Sequence, residues 1–255
     1  MHLTWAARSD PGRRRATNED SYCARDDLGL FIVADGMGGH VAGEVASRLA
    51  VDEVERFIEA TVAVGPQDAW PIPIDPAVGR DGNRLSAGLT LANRRIAERA
   101  EGSEELRGMA TTAVAALVSG DRAAVSHVGD SRAYLQRASE FTQLTRDHSW
   151  VEEQKLAGML SAAAARDHPW RNIVTRALSG TDPLDVDVTA VELAAGDRLM
   201  LCSDGLTSVL GDEEIDSVLR GAAALDARCE ELVRRVNDAG GPDNVTVVVI
   251  GIDAG

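Results

Sequence analysis

The sequence predicts an α+β fold in which two antiparallel β-sheets carry helices on their outer faces. Short apolar runs rich in Val, Leu and Ala predict strands, and several of them follow one another with no helical pattern between them. Glycine-containing turns separate successive runs at two places, which favours antiparallel pairing. The chain has 255 residues, of which 44% are hydrophobic, so we expect a single domain over residues 1–255 with a substantial core.

Six apolar runs predict the strands, at residues 28–34, 111–119, 122–129, 132–137, 197–203 and 245–252. Gly120-Asp121 joins the second run to the third, and Gly129-Asp130-Ser131 joins the third to the fourth. We expect each of these two pairs to form a hairpin. A further strand is expected to begin near Ser21, after the acidic cluster Asn18-Glu19-Asp20.

Helices are predicted over residues 41–60, 84–101 and 224–238, where apolar residues recur at helical spacing. Residues 65–83 hold half of the chain's eight prolines, which predicts an irregular surface excursion. Residues 147–172 predict a short helix, an alanine run and His168-Pro169-Trp170. Two interpretations of this segment stay open from composition: a flap over a site, or an ordinary helical connection.

The net charge, the cysteine content and the motifs that the sequence lacks argue against several classes of protein. The net charge of −15 argues against nucleic acid as a main partner, because phosphate backbones require basic faces. The sequence contains neither a P-loop nor a G-x-S-x-G motif. Three widely spaced cysteines favour a reducing compartment and offer no thiolate zinc site. With no signal-peptide pattern and no apolar run of about 18 residues, we expect a cytoplasmic protein with no membrane anchor.

Four aspartates share one pattern: Asp35, Asp130, Asp204 and Asp243 each lie at an end of an apolar run, beside glycine or proline. One Asp-Gly after a strand is usually a turn, but four such sites suggest that the carboxylates converge. Converging carboxylates repel one another, which raises their pKa unless a cation compensates. Oxygen ligands without a Cys or His pattern favour Mg²⁺ or Mn²⁺, and two such ions can activate a water for phosphoryl chemistry.

Seven motifs occur in chain order, namely RATNEDS, FIVADGMGGHVAGEVAS, ATTAVAAL, HVGDSRAYL, LTRDHSW, LMLCSDGLT and GGPDNVTVVV. Together they resemble the metal-dependent protein phosphatases (the PPM or type 2C family) from about Arg8 to Ile252, and DGMGGH resembles the bacterial branch. The resemblance implies a central β-sandwich of two antiparallel sheets flanked by helices in four layers (αββα). It also implies a dinuclear Mn²⁺ or Mg²⁺ centre at one end, with residues 147–172 as a flap beside it.

The resemblance implies a role for each acidic motif. Asp35 would bridge two ions, the carbonyl of Gly36 would bind one of them, and Asp204 and Asp243 would bind the other. Asp130 would help Asp204 to hold a third, weaker ion.

Three further residues have implied roles around that centre. Glu19 and Asp20 would order metal-bound waters, and Arg15 would grip the substrate phosphate. Met37 occupies the place of a histidine that many eukaryotic relatives use as a proton donor, and methionine carries no proton. The general acid is therefore open between a metal-bound water and His40.

The implied activity is Mn²⁺- or Mg²⁺-dependent hydrolysis of phosphoserine and phosphothreonine in proteins, without a covalent phosphoenzyme. We expect phosphorylated proteins as partners, including a bacterial Ser/Thr kinase and its targets, and a monomeric enzyme. One alternative is a dedicated phosphatase of a regulator resembling the anti-sigma-factor antagonists. A second alternative is a pseudophosphatase that binds phosphoproteins without turnover.

Overall fold

The computed structural model describes residues 1–39, 41–63, 70 and 72–254. Within these residues, eleven strands form two antiparallel sheets. One sheet has the strand order β1-β11-β10-β7-β8, and the other has the order β2-β3-β5-β6-β9, with β4 paired to the end of β3. The strand boundaries are β1 His2–Asp10, β2 Asp20–Arg25, β3 Leu30–Met37, β4 Ala110–Thr111, β5 Ala113–Ser119, β6 Arg122–Val128, β7 Arg132–Arg137, β8 Glu140–Gln143, β9 Asp187–Glu192, β10 Arg198–Cys202 and β11 Val245–Asp253.

Seven α-helices accompany the sheets in the described ranges. Their boundaries are α1 Val41–Ala60, α2 Gly79–Glu101, α3 Trp150–Leu156, α4 Ala162–Arg166, α5 Asp204–Thr207, α6 Asp212–Arg220 and α7 Leu225–Asp238. Two single 3₁₀ turns lie at Pro76–Val78 and Glu104–Leu106. No helix in this part of the chain is both long enough and apolar enough to cross a bilayer.

The core has three layers because the central strands are buried on both faces. In β3, Phe31 and Val33 face the other sheet, where they pack in one cluster with Leu201 and Val248. The alternate residues, such as Ile32, point the other way and pack with α1 and α2. On the far side, α6 and α7 cover the outer face of β10 and β11. Because side chains alternate between the two faces of a strand, one face of each sheet packs against the other sheet and the opposite face packs against helices.

The predicted fold class of two antiparallel sheets flanked by helices is confirmed. Helix α1 has the predicted boundaries, and β5 and β6 form the predicted hairpin through Gly120-Asp121, with Gly120 at a φ of +64°. Strands β1, β8 and β9 and helices α5 and α6 have no counterpart among the predicted elements. Strands β1, β8 and β9 lie at sheet edges, where mixed burial removes the apolar run that marks a central strand.

Two expectations were wrong. The turn Gly129-Asp130-Ser131 does not close a hairpin, because β6 and β7 belong to different sheets and the turn crosses from one to the other. The irregular excursion cannot extend to residue 83, because α2 begins at Gly79. Its first turn is held by Asn83, whose Nδ2 donates to the carbonyls of Asp75 and Gly79 at 2.7 and 2.6 Å. Residues 64–69 and 71 of that segment lie outside the described residues.

Candidate metal centre

The acidic residues predicted to form a site meet at one end of the sandwich, and both sheets contribute. In the first sheet, Asp20 opens β2 directly opposite Asp35 of β3. In the second sheet, Asp204 follows β10, and Asp243 precedes the neighbouring strand β11. Asp130 lies in the turn that crosses between the sheets.

Burial and mutual repulsion raise the pKa values of these carboxylates. Burial, followed by repulsion from Asp20, Asp204 and Asp130, raises the pKa of Asp35 well above its ordinary value. Asp35 and Asp204 also share a hydrogen bond, which favours the protonated form of Asp35. Burial and repulsion from Asp243 raise the pKa of Asp204. The group therefore holds more negative charge than the protein alone can stabilise at neutral pH.

Asp20 and Asp130 have similarly raised values. Burial raises the pKa of Asp20 to about 7, although hydrogen bonds from Thr246 and Ser203 oppose the rise. Burial and repulsion by Asp204 raise the pKa of Asp130 to about 8. Asp20 Oδ2 accepts a hydrogen bond from Ser203 Oγ at 2.8 Å, while its buried Oδ1 has no hydrogen-bond partner in the described part of the chain. A buried carboxylate oxygen of this kind suits a cation or a water ordered by one.

Glu19 is fixed by close packing against the first turn of α1. A Cβ on Gly43 would lie 1.9 Å from Glu19 Oε2, and a Cβ on Gly36 would lie 2.1 Å from the Gly43 carbonyl oxygen. The carbonyl of Glu19 accepts hydrogen bonds from Ser47 Oγ at 2.6 Å and from the Gly36 amide at 3.2 Å. Only glycine at positions 36 and 43 lets the Glu19 loop, the end of β3 and α1 meet this closely.

Arg15 lies at the exposed rim of the site. Its Nη2 donates to Asp243 Oδ2 at 2.9 Å, and this hydrogen bond raises the pKa of the guanidinium. The other Asp243 oxygen accepts from the Asn244 amide at 2.8 Å. The structure thus brings together Arg15, Glu19, Asp20, Asp35, Gly36, Asp130, Asp204 and Asp243 at one end of the sandwich.

Asn244 organises the site without having been predicted as a site residue. Its Oδ1 accepts from the Glu19 amide at 2.8 Å, and its Nδ2 donates to the carbonyls of Pro11 and Thr17 at 3.0 and 2.9 Å. This one buried side chain therefore ties the loop that carries Arg15 and Glu19 to the start of β11. The available signal was the Asp243-Asn244 pair immediately before an apolar strand.

Two threonines hold Asp35 from the other side. Thr111 Oγ1 and the Thr112 amide both donate to the Asp35 carbonyl, at 2.8 and 2.9 Å. Met37 pairs with Ala110 of β4, and its side chain is half-buried. His40 lies outside the described residues.

The donor set fits a hard divalent cation. Among the described residues, the cluster offers carboxylate oxygens and no sulfur or imidazole ligand, the combination that Mg²⁺ and Mn²⁺ prefer. Arg15 forms an ion pair with Asp243 at the rim of the cluster. Arg132 acts on Asp130 and Asp204 by electrostatic attraction and lowers their pKa, but burial and repulsion still leave both values raised. A divalent cation would therefore relieve the repulsion that raises the pKa of the buried carboxylates.

Comparison with known proteins identifies the family. The family model "Protein phosphatase 2C" matches residues 13–246. The chain belongs to the protein phosphatase 2C family. Enzymes of this family are protein phosphatases whose cofactor is Mn²⁺ or Mg²⁺.

Individual relatives are bacterial. The serine/threonine protein phosphatase PstP of Mycobacterium tuberculosis is 38% identical over 250 residues, which cover 98% of this chain and 45% of the relative. The chain thus spans about half the length of that relative. The serine/threonine phosphatase stp of Listeria monocytogenes is 35% identical over 99% of this chain and 96% of its own length. A solved structure of the PstP catalytic domain in complex with two manganese ions has a TM-score of 0.84 and 37% identity, and the match covers 99% of both chains.

The raised pKa values predict how pH affects the stability of the metal-free protein. An Asp whose pKa is higher in the folded state stabilises the fold at low pH, and this stability is lost as pH rises through the folded value. With Asp20 at about 7 and Asp130 at about 8, the Tm of EDTA-treated protein should fall between about pH 7 and about pH 9. His127 and His148, whose pKa values are lowered on folding, contribute little above about pH 7.

Differential scanning fluorimetry across that range, with and without Mn²⁺, measures this effect. Mn²⁺ should raise the Tm most at the alkaline end, where the carboxylates are fully ionised. Asp130→Asn should flatten the metal-free profile. A metal-free Tm that stays constant or rises over the range would contradict the raised pKa values.

Gly43→Ala tests the packing of Glu19 against α1. The added Cβ overlaps Glu19 Oε2, the end of a flexible side chain, and lies 3.0 Å from the Gly36 backbone carbon. We expect the Glu19 carboxylate to move aside, and circular dichroism checks that the variant folds. We expect Mn²⁺ affinity to fall about tenfold, the loss expected when a group that supports metal ligands is disturbed. Gly88→Ala on α2 is the matched control, because its Cβ meets nothing closer than 3.4 Å. Calorimetric Mn²⁺ titration should separate the two variants, and equal affinities would rule out this role for Gly43.

Proposed function

We propose that this protein hydrolyses phosphoserine and phosphothreonine in proteins, at the carboxylate cluster between the two sheets. The observation that carries the proposal is the set of aspartates that both sheets bring to one end of the sandwich, flanked by Arg15 at the rim. The names of the relatives, which are serine/threonine phosphatases of bacteria, support the choice of substrate class.

Asp35 is proposed as the central metal ligand. Repulsion from Asp20, Asp204 and Asp130 raises its pKa, so carboxylates carried by both sheets act on it. We assign Gly36 beside it to one ion, through its carbonyl, and Asp204 and Asp243 to the other. Asp130 with Asp204 would hold a third, weaker ion. When bound, Mn²⁺ or Mg²⁺ supplies an acidified water as the nucleophile and neutralises charge on the phosphoryl oxygens.

Glu19 and Asp20 are proposed to orient water. The backbone of Glu19 is held by Asn244 and Ser47, and Asp20 is oriented by Ser203, so both carboxylates are positioned before substrate arrives. The free Oδ1 of Asp20 can accept a hydrogen bond from an attacking water. Preorganisation of this kind lowers the barrier because little reorientation is needed during the reaction.

Arg15 is proposed to bind the substrate phosphate. Its guanidinium is exposed at the rim and already holds one anionic group, Asp243, with Nη2. A phosphate can take the remaining N–H donors or replace the carboxylate, since planar guanidinium matches phosphate geometry. Met37 carries no proton, so we propose that a water held near Asp130 and Asp204 protonates the leaving Ser or Thr oxygen.

The cellular setting is also proposed. We place the protein in the cytoplasm, as a monomer opposing a Ser/Thr kinase, with that kinase and its targets as substrates. The three cysteines are buried as free thiols, which suits a reducing compartment. A dedicated phosphatase of an antagonist-type regulator is distinguished by comparing turnover of a phosphorylated kinase with turnover of a phosphorylated antagonist.

Asp35→Asn tests the central ligand. The substitution keeps the side-chain shape and removes the charge, so we expect turnover of a phosphothreonine peptide to fall at least about a thousandfold, in line with losses of key catalytic groups. Asp121→Asn, in the exposed β5–β6 turn, is the matched control and should keep full activity. Activity with Mn²⁺ is measured beside circular dichroism for both variants. Near-normal turnover by folded Asp35→Asn would refute the proposed centre.

Arg15→Ala tests the phosphate contact. Loss of a charged hydrogen bond, worth about 1.5–3 kcal/mol, should raise KM for a phosphopeptide by roughly ten- to a hundredfold and change kcat little. Arg14→Ala, at the exposed neighbouring position, should leave both constants near those of the parent protein. If kcat fell instead and KM stayed constant, Arg15 would act on the transition state and not on substrate binding.

A further inference from the structure

The segment 147–172, hereafter the flap segment, is attached to the sheets by a short two-stranded stem formed by residues 148–150 and 173–175. The Trp150 amide donates to the Ile173 carbonyl, and the Thr175 amide donates to the His148 carbonyl, both at 2.8 Å. Ser149 pairs with Val174 between these bonds. Ser149 Oγ also caps α3 by accepting from the Glu152 amide. His148 is therefore the residue at which the stem meets the sandwich.

His148 also holds the turn that carries Asp130. Its amide donates to the Gly129 carbonyl at 2.9 Å, and its Nδ1 accepts from the Gly129 amide at 3.1 Å. The amide and the carbonyl of Gly129 are thus both hydrogen-bonded to His148, a residue of the stem. Gly129 has a φ of +111°, and a Cβ there would lie 2.5 Å from Thr112, so this turn requires glycine.

The turn is connected in the same way to the centre of the site. Thr112, which packs against Gly129, donates its amide to the Asp35 carbonyl at 2.9 Å. Thr112 Oγ1 and Ser131 Oγ are 2.7 Å apart and share a hydrogen bond. A chain of direct contacts therefore runs from the stem through His148 and Gly129 to Asp130 and Asp35.

The ring of His148 is held in one orientation. Since Nδ1 accepts from Gly129, the proton of the neutral ring lies on Nε2, which is 3.4 Å from Asp187 Oδ2. One face of the ring stacks on His127, with ring centroids 4.5 Å apart. Burial, followed by the neighbouring His127 and Arg176, lowers the pKa of His148 to about 4, so the ring is neutral at ordinary pH.

The same three side chains could suggest a second metal site, because ligand atoms of His127, His148 and Asp187 lie within 4.8 Å of one another. Three contacts argue against it. The imidazoles are stacked at 24°, so their in-plane lone pairs do not converge. His127 Nε2 is hydrogen-bonded to the Arg146 carbonyl at 2.7 Å. Arg176 Nη1, a cation, donates to Asp187 at 2.9 Å.

We propose that His148 is a positioning residue that couples the flap segment to Asp130. Movement of the stem displaces His148, the Gly129–Asp130 turn follows, and the cation site that includes Asp130 is strengthened or weakened. The proposal rests on the proposed function for the role of Asp130 as a ligand. The coupling itself is a statement about the contacts of His148 and can be measured without turnover.

Two substitutions at His148 test the contributions of the two ring nitrogens separately. In His148→Asn, Oδ1 replaces Nδ1 and can still accept from the Gly129 amide, but the side chain no longer reaches Asp187. In His148→Gln, the longer amide reaches toward Asp187 but places no acceptor at the Nδ1 position. Coupling through Gly129 therefore predicts that Asn preserves the behaviour of the parent protein and that Gln does not.

The first measurement is hydrogen exchange on the complete metal-free chain. Loss of one backbone-directed hydrogen bond should speed exchange about five- to tenfold at residues 129–131 and in the stem of His148→Gln. His148→Asn should exchange at the parent rate at residues 129–131. Equal exchange in both variants at these positions would overturn the proposal.

The second measurement is Mn²⁺ titration by calorimetry, with Asp130→Asn as the reference for a lost ligand. His148→Gln should weaken the lowest-affinity Mn²⁺ event about five- to tenfold and leave the tighter events unchanged. If His148→Gln does not fold, Asp187→Asn replaces it: this variant keeps the Gly129 contacts and should bind Mn²⁺ like the parent. Weakened Mn²⁺ binding in Asp187→Asn or His148→Asn would contradict coupling through Gly129.

Failure of the coupling through Gly129 can be distinguished from failure of the proposed phosphatase function. A protein that hydrolyses no phosphopeptide but shows the predicted exchange pattern retains the coupling and loses the phosphatase assignment. A protein that is active but shows no difference between His148→Asn and His148→Gln retains the phosphatase assignment and loses the coupling.

Discussion

Mutual repulsion among buried carboxylates is the constraint on which this structure depends. Asp20, Asp35, Asp130 and Asp204 are held close together at the end of a β-sandwich, and burial raises the pKa of each. Such an arrangement is costly for the protein alone and becomes favourable only with bound cations. The surrounding hydrogen bonds and glycine contacts oppose this repulsion, because they fix the backbone and keep the carboxylates in place.

That support comes from residues far apart in sequence. Asn244 holds the loop before β2, Ser203 orients Asp20, and the Thr111–Thr112 pair holds the Asp35 carbonyl. Each element of the site is thus positioned by a side chain from another element. This explains how exposed loops such as the one carrying Arg15 contribute to a defined site: their backbone is fixed at the base while the functional side chain reaches solvent.

The positions of the aspartates could be predicted because each marks an end of an apolar run, and such ends are visible in the sequence. The path of the chain through Gly129-Asp130-Ser131 could not be predicted, since a tight turn has the same composition whether the next strand joins the same sheet or the opposite one. The edge strand β1 was missed because its burial is mixed. Asn244 and Gly43 were not predicted as site residues because each matters through its contact with Glu19. Asn244 is separated from Glu19 by 225 positions in the sequence.

The crossing of the chain between sheets has a mechanical consequence. Because the proposed metal ligands come from both sheets, the distance between them depends on the thickness of the apolar layer that separates the sheets, which includes Phe31 and Leu201. Interior side-chain volume and ion affinity are therefore not independent properties of this protein. A change of one methylene group in that layer would alter the spacing of the proposed ligands without touching any of them.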